Sequence, residues 1–243
     1  MTIIGNGSNL LVRDGGIRGL VLRISGGLNA IRREGDCLLV QAGASLAAVA
    51  AFARDEGLSG MAELGGIPGT VGGGVLMNAG AYGAELAQLV TQAEGVSLSD
   101  GRRVVYPADR LDFAYRHSAL MDAGVVITQA TLALTPGDPE AIRARMEECA
   151  KARREKQPLT LPNAGSTFKR PEGHFAAKLI DDCGLRGLTV GGAQVSEKHA
   201  GFIVNIGGAT ARDMLELMRQ VEQRVFEQTG VQLEPEVRIL GED

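Results

Sequence analysis

The stretch NAGSTFKRP, residues 163–171, places one hydroxyl between a glycine and two cations. Ser166 has no histidine close by in sequence to act as its base, and AGSTF is not the G-x-S-x-G elbow of a hydrolase. Lys169 and Arg170 favour the alkoxide, so the hydroxyl gives up a proton more readily than in water. The pattern therefore fits a general acid as well as a nucleophile. The structural alternative is a serine that closes a turn after Gly165.

A second candidate is Arg116, which lies between Tyr115 and His117 in FAYRHS, residues 113–118. A planar guanidinium suits a carboxylate or a phosphate. The alternative is an ordinary surface salt bridge.

A third candidate is LEPEVRIL, residues 233–240, where Glu234, Glu236 and Arg238 alternate. The pattern predicts a terminal strand, in which a period of two puts all three side chains on one face. Such a face is either a row of charges in solvent or a surface from which a carboxyl projects into a cleft.

The segments that must position these side chains are rich in glycine, which supplies 34 of 243 residues, about twice the usual ~7%. An apolar strand at 2–4 runs into GNGSN, residues 5–9, which precedes the apolar residues 10–12. A loop of this kind can cradle an anion with its backbone N–H groups, or it can simply connect two strands tightly.

The densest glycine segment is GGIPGTVGGG, residues 65–74, followed by VLMNAGAYG. Six glycines in ten residues predict backbone that passes close to something flat or anionic. Asn78 and Tyr82 are the nearest polar side chains.

Hydrophobic periodicity predicts strands and helices along the whole chain. Predicted strands cover 20–24, 37–41, 93–98, 103–106, 125–134 and 201–205, and Ser99-Asp100-Gly101 predicts a turn between the third and the fourth. Predicted helices cover 44–56, 139–156, 175–183 and 210–228, with Gly57 and Gly230 as stops. The first carries Leu46, Val49, Ala50 and Ala53 on one apolar face, and the last also has one apolar face. Asp138 and Pro139 mark the start of the helix at 139–156, and Pro158 prevents it from continuing. The basic KARREK end of the second helix fits cations at a helix C-terminus or, alternatively, ligand binding. The fold class is α+β, and TPGDP at 135–139 divides the chain into domains 1–136 and 137–243.

Composition excludes several kinds of protein. A net charge of −4 argues against a general polyanion binder such as a nucleic-acid protein. Cys37, Cys149 and Cys183 lack metal-ligand spacing and predict buried free thiols, so no metal is expected. The apolar runs are too short to cross a bilayer, and no secretory signal pattern is present, so we expect a cytosolic protein without a membrane partner.

The motifs GNGSNLLV, GGIPGTVGG…NAGAYG, YRHS, NAGSTFKRP, GGAQVSEKHAGFIVN and EPEVRILG resemble the UDP-N-acetylenolpyruvoylglucosamine reductase family of peptidoglycan precursor synthesis. The resemblance spans nearly the whole chain in the expected order. It implies an FAD-binding domain of the vanillyl-alcohol-oxidase type at 1–136 and a substrate-binding α+β domain at 137–243. It also implies that NADPH reduces FAD, whose N5 delivers hydride to C3 of UDP-N-acetylglucosamine enolpyruvate, giving UDP-N-acetylmuramate in a monomeric enzyme.

The resemblance assigns roles to particular residues. Ser166 falls on the serine that protonates C2, Arg116 on the arginine of a Tyr-Arg-x-Ser motif, and Glu236 on the catalytic glutamate. Candidate substrate contacts are Tyr115, Gly165, Lys169 and Arg170, the last standing where many relatives carry asparagine. Candidate FAD contacts are Gly5, Asn6, Gly7, Ser8, Asn9, Gly66, Ile67, Pro68, Gly69, Thr70, Gly72 and Gly73.

Relatives carry a further strand-and-helix subdomain before GNGSNLLV, which forms one wall of the flavin cleft, and we expect this chain to lack it. Tyr82 in NAGAYG indicates the subtype without a mobile tyrosine-bearing loop. Two other functions are compatible with the sequence. One is a different flavoenzyme of the same fold, and the other is a non-catalytic UDP-sugar binder.

Overall fold

The computed structural model describes all residues from 1 to 243 and contains sixteen strands and five α-helices. Numbered in chain order, the strands are β1 Thr2–Ile4, β2 Leu10–Val12, β3 Val21–Arg23, β4 Ile31–Glu34, β5 Cys37–Gln41, β6 Leu58–Ser59, β7 Gly80–Ala81, β8 Ala84–Glu85, β9 Val90–Ser97, β10 Arg103–Pro107, β11 Val125–Ala133, β12 Thr135–Pro136, β13 Thr189–Val190, β14 Ala193–Val195, β15 Ile203–Asn205 and β16 Arg238–Leu240. The helices are α1 Leu46–Asp55, α2 Val71–Leu76, α3 Pro139–Lys156, α4 Ala176–Asp182 and α5 Ala211–Thr229. Short 3-10 turns cover Leu64–Gly66, Leu86–Gln88, Ala108–Arg110 and Ala119–Met121. None of the helices combines the length and apolar character that crossing a bilayer requires.

The chain divides into two compact units. The first unit contains 1–7 and 21–152, and the second contains 8–20 and 153–243. These limits differ from the predicted boundary between 136 and 137. The segment 8–20 belongs to the second unit because β2 pairs in parallel with β16, a long-range contact that turn signals in the sequence do not report.

The first unit is built on an antiparallel sheet in the order β10-β9-β11-β5-β4. The turn between β9 and β10 is the predicted one: Gly101 has φ +72° and donates its N–H to the Ser97 carbonyl at 2.9 Å. Strand β4 was not predicted, because IRRE carries only one apolar residue and none of its side chains is fully buried.

Helix α1 confirms the amphipathic prediction. The Ser45 hydroxyl caps it by accepting the Ala48 N–H at 3.1 Å. Its buried side chains are the predicted apolar set, Leu46, Val49, Ala50 and Ala53. They share one apolar cluster with β5 and β11, and this cluster is the core of the first unit.

Helix α2 lies inside the glycine-rich segment, where no helix was predicted. Thr70 caps it, and Val71 and Val75 are buried. A Cβ on Gly74 would lie 2.8 Å from the Leu86 Cδ1 atom, and one on Gly72 would lie 3.0 Å from the Ala42 Cβ atom. Close packing inside the protein therefore explains part of the glycine density that the sequence analysis assigned to a ligand.

The second unit packs α4 and α5 against the small antiparallel sheet β13-β14-β15. Thr210 and Asp213 form a capping box at the start of α5, and Gly230 ends the helix in the left-handed conformation with φ +71°. The Asp14 carboxylate accepts the N–H groups of Ala211 and Arg212 at 2.7 and 3.0 Å. Such caps are typically worth about 1 kcal/mol of stability.

Two predictions about individual residues were wrong. Only Cys149 is buried, whereas Cys37 and Cys183 are partly exposed, although all three thiols are free. The terminal strand begins at Arg238, not at Glu236, because the N–H groups of Glu236 and Val237 both turn toward the Thr167 carbonyl. Glu234 and Glu236 therefore lie outside the strand that contains Arg238, and the period of two does not place the three side chains on one face.

Candidate active site

Ser166 lies exposed on a loop of the second unit whose backbone is held from both sides. The Asn163 carboxamide oxygen accepts the Gly165 N–H at 3.0 Å, and Gly165 takes φ +85°, a conformation that favours glycine. The next residue, Thr167, is buried; its N–H donates to Gly201 at 2.8 Å and its hydroxyl accepts the Ile203 N–H at 3.0 Å. The backbone on both sides of Ser166 is therefore fixed by hydrogen bonds, while Ser166 itself is exposed.

Glu236 lies beside the same loop. Its N–H donates to the Thr167 carbonyl at 2.8 Å, and an isolated bridge pairs Phe168 with Pro235. The Glu236 side chain is half-buried. The backbone thus brings the segments that carry Ser166 and Glu236 side by side, although they are far apart in sequence.

The two cations after Ser166 are engaged by other groups. The Lys169 ammonium pairs with Glu234 at 3.1 Å. The Arg170 guanidinium carbon lies 3.9 Å from the centre of the Phe175 ring, and its Nε donates to the His174 carbonyl at 3.3 Å. The positive field expected at the serine is therefore partly offset, because Glu234 carries the opposite charge close to Lys169.

Arg116 belongs to the first unit and lies in a tight turn. The residues on either side of Tyr115 and Arg116 exchange backbone hydrogen bonds, between Ala114 and His117 at 3.1 and 3.2 Å. Arg116 itself has φ +55°, which is unusual for a residue with a side chain. Its Nη2 donates to the Gly80 carbonyl at 3.3 Å, and its guanidinium lies 5.0 Å from the Tyr115 ring centre.

Two buried polar residues fix this turn to the NAGAYG segment, and the sequence analysis did not identify either role. The Asn78 carboxamide donates to the Ala114 carbonyl at 3.0 Å and accepts the Ala87 N–H at 2.9 Å. The Ser118 hydroxyl donates to the Leu76 carbonyl at 2.8 Å. Asn78 is therefore a structural anchor and not the ligand handle that its position suggested. The only available signal was its place in a glycine-rich motif.

The predicted FAD loop lies against the glycine-rich segment within the first unit. A Cβ on Gly5 would lie 2.5 Å from the Thr70 hydroxyl oxygen, and the Asn6 side chain donates to the Pro68 carbonyl at 3.4 Å. The backbone N–H groups of Asn6 and Gly7 donate to no protein acceptor. By contrast, the first two N–H groups of α2 already donate to Ala44 and Ala42 at 2.8 Å each.

These observations fit a pyrophosphate held by the loop. Neither 5–9 nor 66–73 contains an acidic side chain, and successive free N–H groups suit anionic oxygens. A Cβ on Gly73 would meet only the Thr70 hydroxyl at 3.6 Å, so protein packing does not explain this glycine. The residues present therefore fit the flavin nucleotide that the resemblance implied.

The last two residues of the predicted FAD loop, Ser8 and Asn9, belong to the second unit. The Asn9 side chain donates to the Glu236 carbonyl at 3.1 Å. One end of the GNGSN motif is therefore tied to the segment that carries the candidate glutamate.

A cavity of about 450 Å³ in the second unit is separate from these residues. It is lined by His199 and by charged side chains, among them Lys156, Lys178, Asp181 and Arg186, and its lining includes neither Ser166 nor Glu236. Several of these charges pair with one another, as Arg186 does with Asp181. Burial lowers the pKa of His199, and the positive charges of Arg186 and Lys156 lower it further.

Comparison with known proteins identifies the class. Residues 1–106 match the family model described as an FAD binding domain. Residues 157–240 match the model of the C-terminal domain of UDP-N-acetylenolpyruvoylglucosamine reductase. The α+β fold with an FAD-binding domain followed by this C-terminal domain is confirmed, and it defines a flavin-dependent reductase. The chain belongs to the UDP-N-acetylenolpyruvoylglucosamine reductase family.

Individual relatives support the same assignment. The UDP-N-acetylenolpyruvoylglucosamine reductase of Pediococcus pentosaceus is 50% identical over 243 residues, covering 100% of this chain and 80% of the relative. That of Agathobacter rectalis is 50% identical over 254 residues, covering 100% and 81%. The crystal structure of the Thermus caldophilus enzyme is 40% identical and superposes with a TM-score of 0.86 over 98% of this chain and 84% of that one.

Proposed function

We propose that this protein uses NADPH and FAD to reduce UDP-N-acetylglucosamine enolpyruvate to UDP-N-acetylmuramate, a step in the synthesis of peptidoglycan precursors. The relatives at 50% identity over the full chain are named for this enolpyruvyl substrate and support the proposal. The protein would act as a cytoplasmic monomer, with residues 1–136 binding FAD and residues 137–243 binding the nucleotide sugar.

The loop 5–9 and the segment 66–73 would hold FAD, with the Asn6 and Gly7 amides toward the pyrophosphate. The chemistry that FAD supplies when bound is hydride transfer, from NADPH in one half-reaction and to C3 of the enolpyruvyl group in the other. Gly73 lacks a side chain where a Cβ would meet little protein, which leaves room for the cofactor.

The protein side chains act on the charge that hydride addition creates. Addition at C3 leaves electron density at C2 and on the adjoining carboxylate. Ser166 donates a proton to C2, while Arg116 and Glu236 bind and stabilise the carboxylate. Groups aimed at charge that develops in the transition state lower the barrier because they need no reorganisation during the reaction.

The geometry of the Ser166 loop is the observation that carries this assignment. The hydroxyl is exposed, yet the residue after it is buried and bonded through its N–H, its carbonyl and its hydroxyl. A general acid needs this combination of access to substrate and fixed position. A nucleophile would need a base beside it, and no histidine lies near Ser166 in sequence.

The remaining substrate contacts are assigned by position. Tyr115 flanks Arg116 and is exposed, and Gly165 precedes the acid. Lys169 and Arg170 would bind the anionic groups of the nucleotide sugar. Since Lys169 pairs with Glu234, it would share its charge between that carboxylate and the substrate.

The direct test uses the purified full chain. Its absorbance spectrum after addition of FAD reports flavin binding, and the consumption of NADPH is then followed with and without the enolpyruvyl substrate. The expected product is two mass units heavier than the substrate because one hydride and one proton are added. A flavin-loaded protein that consumes NADPH without forming this product would contradict the proposal. A colourless protein that still binds UDP-sugars would instead match the non-catalytic binder.

A further inference from the structure

We propose that Asn9 is a positioning residue for Glu236, in addition to any part it takes in the FAD loop. The inference rests on the proposed function, because it assumes that the carboxyl of Glu236 contacts substrate. In this role the final residue of GNGSN holds a segment of the second unit that contacts the substrate, not the flavin.

The geometry fixes the backbone at Glu236 on both sides. Its carbonyl accepts a hydrogen bond from the Asn9 side chain at 3.1 Å, and its N–H donates to the Thr167 carbonyl at 2.8 Å. Asn9 is bonded a second time, since its own carbonyl accepts the Arg238 N–H at 3.0 Å. Asn9 therefore holds the chain at Glu236 and again two residues later.

This support matters because Glu236 does not lie in a regular strand. β16 begins only at Arg238, and upstream of it a single bridge joins Phe168 to Pro235. Without a continuous ladder, individual hydrogen bonds determine where the backbone at Glu236 runs. The direction of a side chain follows its backbone, and a displacement of about 1 Å in a reacting group can cost roughly a hundredfold in rate.

The two asparagines of the motif differ in what they contact. The Asn6 side chain is exposed and donates to Pro68 in the first unit at 3.4 Å, close to the predicted FAD contacts. The Asn9 side chain is partly buried and donates to the candidate catalytic segment. Alanine at Asn9 therefore tests support of the Glu236 segment, and alanine at Asn6 serves as the matched control that tests FAD binding.

The experiment uses the FAD-loaded full chain with Asn9→Ala, the isosteric Asn9→Asp, Asn6→Ala, Glu236→Gln and the double variant Asn9→Ala with Glu236→Gln. Stopped-flow absorbance measures flavin reduction by NADPH and, separately, reoxidation by the enolpyruvyl substrate. Hydrogen exchange on the same variants measures the protection of the Glu236 amide, with an amide inside α5 as the reference.

We expect both Asn9 variants to slow reoxidation about 10- to 100-fold and to slow flavin reduction by NADPH much less. The Glu236 amide should exchange faster, and the α5 reference should not change. Since Asn9 acts through Glu236, adding Asn9→Ala to Glu236→Gln should cost less than about twofold more. Asn6→Ala should instead raise the Kd for FAD.

Three results would overturn the proposal. Unchanged exchange at Glu236 would show that Asn9 does not hold this backbone, whatever the activity. A raised Kd for FAD with both half-reactions slowed equally would make Asn9 a cofactor contact. Additive effects in the double variant would separate Asn9 from Glu236. If the flavin of Glu236→Gln is reoxidised at the wild-type rate, Glu236 has no catalytic role. Faster exchange of the Glu236 amide in Asn9→Ala would then still show that Asn9 holds this backbone, which distinguishes the failure of the proposed function from the failure of the positioning role.

Discussion

At the scale of single residues, the candidate catalytic side chains are accessible to solvent, and buried, hydrogen-bonded residues fix their backbone. Ser166 is exposed while Thr167 beneath it is buried and fully bonded. Arg116 is half-buried, and the turn that carries it is anchored by buried Asn78. Such an arrangement holds side chains close to the geometry they need before substrate arrives, which is a main source of rate enhancement.

Arg116 also adopts a strained backbone. A non-glycine residue at φ +55° costs of order 1–3 kcal/mol and persists only where the surroundings enforce it. Here the reciprocal hydrogen bonds of Ala114 and His117 enforce it. Strain of this kind often accompanies function. In this turn the guanidinium of Arg116 lies against the Gly80 carbonyl.

Arg116→Lys tests whether the planar fork of the guanidinium is needed. Lysine keeps the charge but cannot donate two parallel hydrogen bonds to a carboxylate. We expect kcat for reduction of the enolpyruvyl substrate to fall about 10²- to 10³-fold, as for the loss of one transition-state donor, with flavin reduction by NADPH unchanged. Arg110→Lys, at an exposed arginine of the same unit, serves as the control. Equal kcat values for the two variants would contradict the role of Arg116.

At the scale of elements, an apolar face with a period of 3.6 residues was enough to predict α1 and α5, whereas α3 was predicted from Asp138, Pro139 and Pro158 at its two ends. In α1 the predicted set of buried side chains was also correct, because residues spaced by 3.6 form one apolar stripe, and that stripe faces the core. Strands β5, β9 and β11, which are the three inner strands of one sheet, were predicted from the sequence, and so was β10 at the edge of that sheet.

Helix α2 shows where this reasoning fails. VGGGVL has low helix propensity, since each glycine costs about 1 kcal/mol relative to alanine. Tertiary packing overrides that cost: Gly74 lets the helix approach Leu86, and the Thr70 hydroxyl caps its first turn. Local propensity carries no information about such close approach, so the sequence pattern alone predicted an irregular segment.

Alanine substitutions at two neighbouring glycines of α2 test packing and cofactor binding separately. Gly74→Ala places a methyl 2.8 Å from Leu86 Cδ1, and we expect it to lower the free energy of unfolding by about 1–3 kcal/mol, as overpacking does. Gly73→Ala meets only the Thr70 hydroxyl at 3.6 Å, so it should leave stability unchanged or raise it by about 0.5–1 kcal/mol.

The readouts are urea denaturation of the protein without FAD and a fluorescence titration with FAD. Gly73→Ala should weaken FAD binding although it does not destabilise the fold. If Gly73→Ala bound FAD like wild type, Gly73 would not face the cofactor. If Gly74→Ala were as stable as wild type, the packing explanation for this glycine would be wrong.

At the scale of the whole molecule, the sequence supplied the types of the candidate catalytic residues but not their supports. Ser166, Arg116 and Glu236 were recognisable from motifs. The roles of Asn78, Ser118 and Asn9 were not, because each depends on a hydrogen bond to a backbone group that lies 36 or more residues away in sequence. Long-range backbone contacts leave no local pattern, and the pairing of β2 with β16 in the second unit is another such contact.

The stability of the molecule should depend on pH through His199. Burial lowers its pKa in the folded protein, and its Nδ1 accepts the Gly201 N–H at 3.2 Å, which requires the neutral ring. As pH falls below about 6.5, the unfolded chain binds the proton first. Stability is therefore full above that pH and is lost as pH falls toward the lower folded-state pKa.

His199→Asn provides the comparison, since asparagine can accept the same hydrogen bond without titrating. We expect the free energy of unfolding, measured in urea between about pH 7.5 and 5, to fall more steeply with decreasing pH in wild type than in the variant. Parallel curves would mean that His199 takes up its proton equally in the folded and unfolded states.

The most direct test of the account is the effect of Ser166→Ala on the two half-reactions, measured by stopped-flow flavin absorbance. Ser166→Cys is the control because it keeps a dissociable proton at the same position. We expect NADPH to reduce the flavin of Ser166→Ala at the wild-type rate, and reoxidation by the enolpyruvyl substrate to fall about 10²- to 10⁴-fold. Ser166→Cys should retain part of the reoxidation rate. Reoxidation of Ser166→Ala at the wild-type rate, or an equal loss in both half-reactions, would contradict the assignment of Ser166 as the acid.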